Sequence, residues 1–263
     1  MYHKVFYSLV FSLLIFTSTF GQLTGSFHYS LGLPQQSMAK NINTIHHGVL
    51  SVGYRLPAYL KSVQVGADLG YGGYARLTVP TEFSFGNGRP TKTNINYSSN
   101  SFVANGFVQF DLFRKGTFVP YVVLKGGVQN LHSSIYIDDP TDIDGCRPLE
   151  NESIIADQTA IFSYGGGIRY DLGIPNYVRR INRHYIDVQF MKTSGGTLDY
   201  INAKKLTDHS VHTATPVESE ESRPLEMKFI NVTSNVAHTH KVGEIFSTPL
   251  RLMDIRIGYY VEF

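Results

Sequence analysis

The chain has 263 residues, a formal net charge of +2 and 17% charged residues, a balance too weak for a nucleic-acid binder. Its single cysteine, Cys146, excludes an intrachain disulfide and a cysteine-based zinc site and reads as a buried or loop thiol. With 17 Tyr, 17 Phe, 24 Gly and no Trp, the composition is that of a β chain rather than a helical one.

Met1-Tyr2-His3-Lys4 is a short basic start, followed by an uncharged run from Val5 to Phe20 and by Thr19-Phe20-Gly21, which places small residues where a signal peptidase reads. The pattern predicts a signal peptide over 1–21, cleaved after Gly21, and a single domain over 22–263. The run is too short to span a bilayer comfortably as a helix. No cysteine stands at the junction, which argues against lipoprotein processing. No long apolar run follows, so a helical membrane protein is excluded; a barrel is not, because its strands alternate.

Eight stretches then alternate with period two. Residues 26–31 set Phe27, Tyr29 and Leu31 against Ser26, His28 and Ser30. Residues 49–56 set Leu50, Val52 and Tyr54 against Ser51, Gly53 and Arg55. Residues 63–71 set Val65, Leu69 and Tyr71 against Gln64, Asp68 and Gly70. Residues 105–112 set Val108 and Phe110 against Gln109 and Asp111, and 119–128 set Val122, Leu124 and Val128 against Lys125. Residues 162–172 set Phe162, Tyr164, Ile168 and Tyr170 against Ser163, Gly167, Arg169 and Asp171. Residues 185–190 set Ile186, Val188 and Phe190 against Asp187 and Gln189. The last strand sets Met253, Ile255, Ile257, Tyr259, Val261 and Phe263 against Asp254, Arg256, Gly258, Tyr260 and Glu262.

The polar faces carry Gly, Ser, Asp, Arg and Gln with little Lys, which suits the narrow interior of an eight-stranded barrel better than the wet face of a soluble sandwich. The apolar faces then meet lipid. Connections alternate: short ones at 57–62, 113–117 and 173–184, long ones at about 85–101, 132–159 and 200–247. The expected fold is an all-β, eight-stranded, antiparallel up-and-down transmembrane barrel with long outer loops, both termini on the periplasmic side. Tyr54, Tyr71, Tyr121, Tyr170 and Tyr185, near strand ends, are candidates for an interfacial aromatic girdle. Arg55, Asp68, Asp111, Lys125, Arg169, Asp171, Asp187, Asp254, Arg256 and Glu262 share the interior face and are expected to form a charge network, because an unpaired buried charge is very costly.

The chain stops at Phe263, preceded at every second place by Val261, Tyr259, Ile257 and Ile255. This ending resembles the C-terminal insertion signal of outer-membrane barrels. The whole of 22–263 resembles the small outer-membrane β-barrel group that includes the OmpA membrane domain and the OmpX and OmpW proteins. Gln22 directly after the cleavage site is similar to usage common in Bacteroidota. The resemblance implies residence in the outer membrane of a Gram-negative cell, contact with its lipid and lipopolysaccharide, and assembly by the barrel-insertion machinery.

Candidate chemistry is sparse. His209, His212, His238 and His240 fall in the last loop, where zinc or copper binding and an ordinary polar loop are both open, the polar loop being the preferred reading. Asp138, Asp139, Asp142 and Asp144 precede Gly145 without the distal Glu of a calcium loop. His28 and Ser30 share a face but should point inward, so no acyl-hydrolase site is expected, and Gly165-Gly166-Gly167 lies within a strand and is no phosphate loop. No cofactor, metal or catalytic residue is assigned. The expected function is a filled-lumen structural or interaction barrel, an accessory subunit of a larger assembly, with a protein partner taken up by loop 200–247. The alternative is a narrow channel for small or apolar solutes, and a lipid-modifying enzyme ranks last. Met227 to Val232 alternates and is expected to extend the wall as a hairpin arm.

Overall fold

The computed structural model describes residues 22–84, 90–138, 148–173, 183–204, 222–230 and 237–263. The predicted signal peptide, Cys146, His209, His212 and the aspartates 139, 142 and 144 lie outside these residues. Nine β-strands run as β1 (Gln22–Pro34), β2 (Ile45–Arg55), β3 (Val63–Ser84), β4 (Pro90–Asp111), β5 (Phe118–Asp138), β6 (Pro148–Asp171), β7 (Arg183–Ile201), β8 (Ser222–Ile230) and β9 (Ala237–Glu262). A one-turn helix, α1 (Met38–Asn41), lies between β1 and β2. Strands β1 to β7 and β9 form antiparallel neighbours in chain order, and β1 pairs with β9 from Thr24↔Glu262 to Pro34↔Leu252, closing an eight-stranded barrel with no free edge there. The β2–β3 and β4–β5 connections are short and lie at the same end as the start of β1 and the end of β9; Gly116, at φ 126, turns the second of them.

The faces follow the period-two reading. Phe27, Leu50, Leu69, Val108, Leu124, Phe162, Ile168, Phe190 and Ile257 all point outward and are exposed, while Arg55, Asp68, Asp111, Arg169 and Asp187 are buried inside. On β5 the outward apolar run extends from Phe118 to Val128, which matches the roughly 9–11 residues a tilted strand needs to cross a bilayer. A closed wall that is apolar outside and polar inside is the arrangement lipid demands, because every backbone group is satisfied within the sheet.

The strands are longer than the belt: β3 and β4 have 22 residues each and β9 has 26. Much of the sequence expected as loop at 85–101, 132–159 and 200–247 is therefore strand. The reason is that the chemistry of the two faces reverses beyond the belt. On β4, Asn96, Ser98 and Asn100 take the outward face while Ile95 and Tyr97 are buried within. Above the belt the wall obeys the rule of a protein in water, and an apolar-outward search misses it.

That far part splits into two sheets. The β6–β7 pairing ends at Ile161↔Gly195, yet β6 continues on β5 and β7 continues on β9 to Ile201↔Ile245. Strand β8 takes the side of β9 that β1 leaves, pairing from Ser222↔Phe246 to Ile230↔Ala237. Met227 to Ile230 of the expected hairpin arm lie on β8, and Asn231 and Val232 lie outside the described residues. Ile95, Tyr97, Ile135 and Ile155 of the β3–β6 sheet pack on Ile201, Leu225 and Ile245 of the β7–β9–β8 sheet, forming an apolar core outside the belt.

Candidate functional site in the barrel lumen

The lumen has three levels. At the short-connection end, Asp111 receives Arg55 Nη1 at 2.6 Å and Arg169 Nη2 on its other oxygen. Arg55 Nε also lies 2.8 Å from Glu262, which Arg114 Nη2 reaches at 2.8 Å from the neighbouring turn. Arg169 sits among three rings, 4.5 Å from the Tyr260 centroid, 5.2 Å from Tyr121 and 5.7 Å from Tyr185. Tyr121 and Tyr185, expected on the girdle, therefore face inward, because their β5 and β7 positions are in phase with Lys125 and Asp187. Tyr71 and Tyr170 do stand on the outer face. Burial, followed by the nearby Arg55 charge, lowers the pKa of Arg114 in the turn.

At mid-lumen, Asp68 Oδ2 accepts from Lys125 Nζ at 2.5 Å and from Arg256 Nη1 at 2.9 Å. Asp187 accepts the Tyr121 hydroxyl at 2.7 Å and lies 2.8 Å from His28 Nε2. Asp254 is held by the Thr193 hydroxyl at 2.5 Å. Ion pairs and hydrogen bonds thus gather around Asp68, Asp111 and Asp187. Asp171 is the departure: half-buried at the end of β6, it accepts the Gly173 N–H at 2.9 Å and closes the turn instead. Ser30 is buried near His28, but its hydroxyl has no protein partner among the described residues, so no nucleophile–base pair forms.

At the far end the lumen is apolar. Met38 and Ile42, from α1 and the residue after it, fold inward and are buried against Ile45, Tyr74, Leu131, Ile161, Leu198, Tyr200 and Leu250. Asn41 Nδ2 contacts the Tyr200 hydroxyl at 3.4 Å, and Tyr200 meets Thr248 at 2.8 Å. The β1–β2 connection is thus a cork. Sequence reading missed it because four residues with one Met and one Ile nearby show no helical period. Arg114, read only as part of a turn, was missed likewise.

Glycine lets the rings into the lumen. A Cβ at Gly167 would meet the Tyr121 hydroxyl and stand 2.5 Å from the Val188 carbonyl oxygen. Gly167→Val is expected to cost about 1–3 kcal/mol by overpacking, read as a lower urea midpoint in vesicles. An unchanged midpoint would show that the lumen has slack.

The residues expected to signal insertion, Ile257, Tyr259 and Phe263, are exposed on the outer face of β9, with Ile255 and Val261 half-buried beside them. Among the described residues no three His, Cys, Asp or Glu side chains gather to hold a metal. His238 and His240 fall on β9, opposite Phe229 and Met227.

No protein-family model matches the chain, and no curated protein matches it. Among solved structures, Neisserial surface protein A aligns at TM-score 0.40 and 10% identity, covering 92% of this chain and 97% of that one. Ail, the attachment invasion locus protein of Yersinia pestis, solved with the heparin analogue sucrose octasulfate, aligns at TM-score 0.33 and 11% identity over 92% and 97%.

Proposed function

We propose that this chain is an integral barrel of a bacterial outer membrane, with both ends of its wall in the periplasm, that acts as a structural or interaction protein within a larger assembly. The observation that carries this reading is the filled lumen: the Arg55–Asp111–Arg169–Glu262 cluster blocks one end and the α1 cork the other. What the barrel then offers is a rigid anchor for the two-sheet wall, whose β8 arm pairs on one side only among the described residues and so offers a strand edge to a protein partner. His28 and Ser30 face the lumen, out of reach of lipid chains outside the wall, so the reading carries no catalytic role.

The purified chain in planar bilayers should show no large steady conductance. Stable porin-sized channels would overturn the plug. A narrow path for small solutes keeps one observation in its favour, the mid-lumen layer where Ser30, His47, Asn105 and Gln189 have polar atoms without a hydrogen-bond partner among the described residues. Small, solute-dependent currents would promote that reading. For the assembly itself, gentle solubilisation of native membranes should recover the chain in a complex larger than the barrel alone; recovery only as a lone barrel would end the accessory-subunit reading.

A further inference from the structure

The β2–β3 seam opens just above the apolar belt. Pairing between the two strands stops at His46↔Gly73, and an irregularity between Gly73 and Ala75 shifts the register of β3 on β4. A bulge of this kind bends its strand and re-aims the residues around it. Here Tyr74 turns into the lumen, where its hydroxyl meets Ser133 at 3.1 Å, and Arg76 is left exposed outside. The opening is a pocket of about 860 Å³ between the end of β1, the α1 connection, β3 and β4. Its size suits a sugar-sized or drug-sized ligand.

Its height is set by the residues below it. Tyr71 on β3 and Phe102 on β4 are the last outward apolar side chains of their strands within the belt, at 63% and 41% exposure. The outward positions that follow, Asn100 and Ser98 on β4 and Arg76 on β3, line the pocket. It therefore stands where the apolar belt gives way to polar surface.

The lining is cationic. Arg76 and Lys204 supply its charge, the His46 ring lies beside them, and none of the lining residues is Asp or Glu. The buried cations of the lumen are held by carboxylates: Arg55 and Arg169 by Asp111, Lys125 and Arg256 by Asp68. Among the described residues neither Arg76 nor Lys204 has such a partner. Lys204 Nζ donates instead to the Ala39 carbonyl oxygen at 2.6 Å, a neutral acceptor that positions the ammonium and leaves its charge uncompensated. The Tyr29 hydroxyl and His46 Nδ1 lie 2.5 Å apart; with the hydroxyl donating, the ring proton sits on Nε2 as a further donor. A fork of guanidinium donors, an ammonium and neutral amide and hydroxyl donors in one concave site is the chemistry that recognises phosphate.

We propose that this pocket binds a phosphate-bearing ligand, either the phosphorylated sugar headgroup of an outer-leaflet lipid or a free phosphorylated sugar. The lipid source rests on the membrane reading above; the phosphate chemistry does not.

The test uses the full chain in nanodiscs of zwitterionic lipid and three ligands. These are an acylated, bis-phosphorylated glucosamine disaccharide lipid, the same lipid without phosphates, and the phosphorylated disaccharide without acyl chains. Binding is followed by native mass spectrometry and calorimetry. The phosphorylated lipid should bind about tenfold or more tighter than its dephosphorylated form, and R76S/K204S should abolish that difference. Both replaced residues are exposed, so heat-modifiable mobility on gels should be unchanged and will certify the fold. If the soluble disaccharide binds as tightly as the lipid, the source is a free phosphorylated sugar. Equal binding with and without phosphate, or a preference that survives R76S/K204S, overturns the proposal. Failure of the membrane reading would show separately, as a chain that does not float with vesicles, and the soluble arm would still decide the phosphate chemistry.

Discussion

Replacing Asp111 with alanine is expected to lower the unfolding free energy of the barrel by about 3–5 kcal/mol. Asp111 is 1% exposed and accepts from two guanidiniums that are themselves 2% and 1% exposed, those of Arg55 and Arg169. Its removal leaves two cations facing each other across the narrow end of the lumen. Glu262 remains beside Arg55, so Arg169 loses most; its rings of Tyr121, Tyr185 and Tyr260 offer cation–π attraction of about 1–2 kcal/mol, less than the loss. Urea unfolding in lipid vesicles, followed by tyrosine fluorescence, measures the change. Arg114→Ala is the control: its side chain is 24% exposed at the rim, and its loss should cost well under half as much. If Asp111→Ala is no worse than Arg114→Ala, the cluster does not hold the lumen together.

The barrel was legible in the sequence because lipid imposes one rule on both faces of every strand. Leu50 against Arg55 and Ile168 against Arg169 can be placed without knowing any partner. The rule ends with the belt. At Asn94-Ile95-Asn96-Tyr97-Ser98 the alternation continues with its chemistry inverted, so the same β4 strand reads as a loop when apolar-outward residues are sought. Tyrosine defeats the rule for another reason: it suits an interfacial girdle and a lumen equally, and only phase separates them. Tyr121 and Tyr185 are in phase with charged neighbours, a signal that was present in the alternation. The pocket lined by Arg76 and Lys204 could not be seen at all, since the two are 128 residues apart and are brought to one pocket only by a register shift and a four-residue helix.

Ile257→Lys is expected to cost about 2–4 kcal/mol in a bilayer. Ile257 is 54% exposed, pairs with Tyr29 on β1 and Val188 on β7, and lies midway along the outward series from Met253 to Phe263. A lysine there puts an ammonium near the midplane of the apolar belt, where a charge is costly and its stem must bend toward the interface to reach water. The inverted wall above the belt supplies the contrast. Ser98→Lys, on an outward position of β4 beyond Phe102, should change stability by less than about 0.5 kcal/mol, because that face meets water. Both are measured by the same urea titration in vesicles, with folding in detergent as reference. Were Ile257→Lys silent and Ser98→Lys costly, the belt would be the wrong part of the wall, and the two-sheet end would have to be the part that lipid covers.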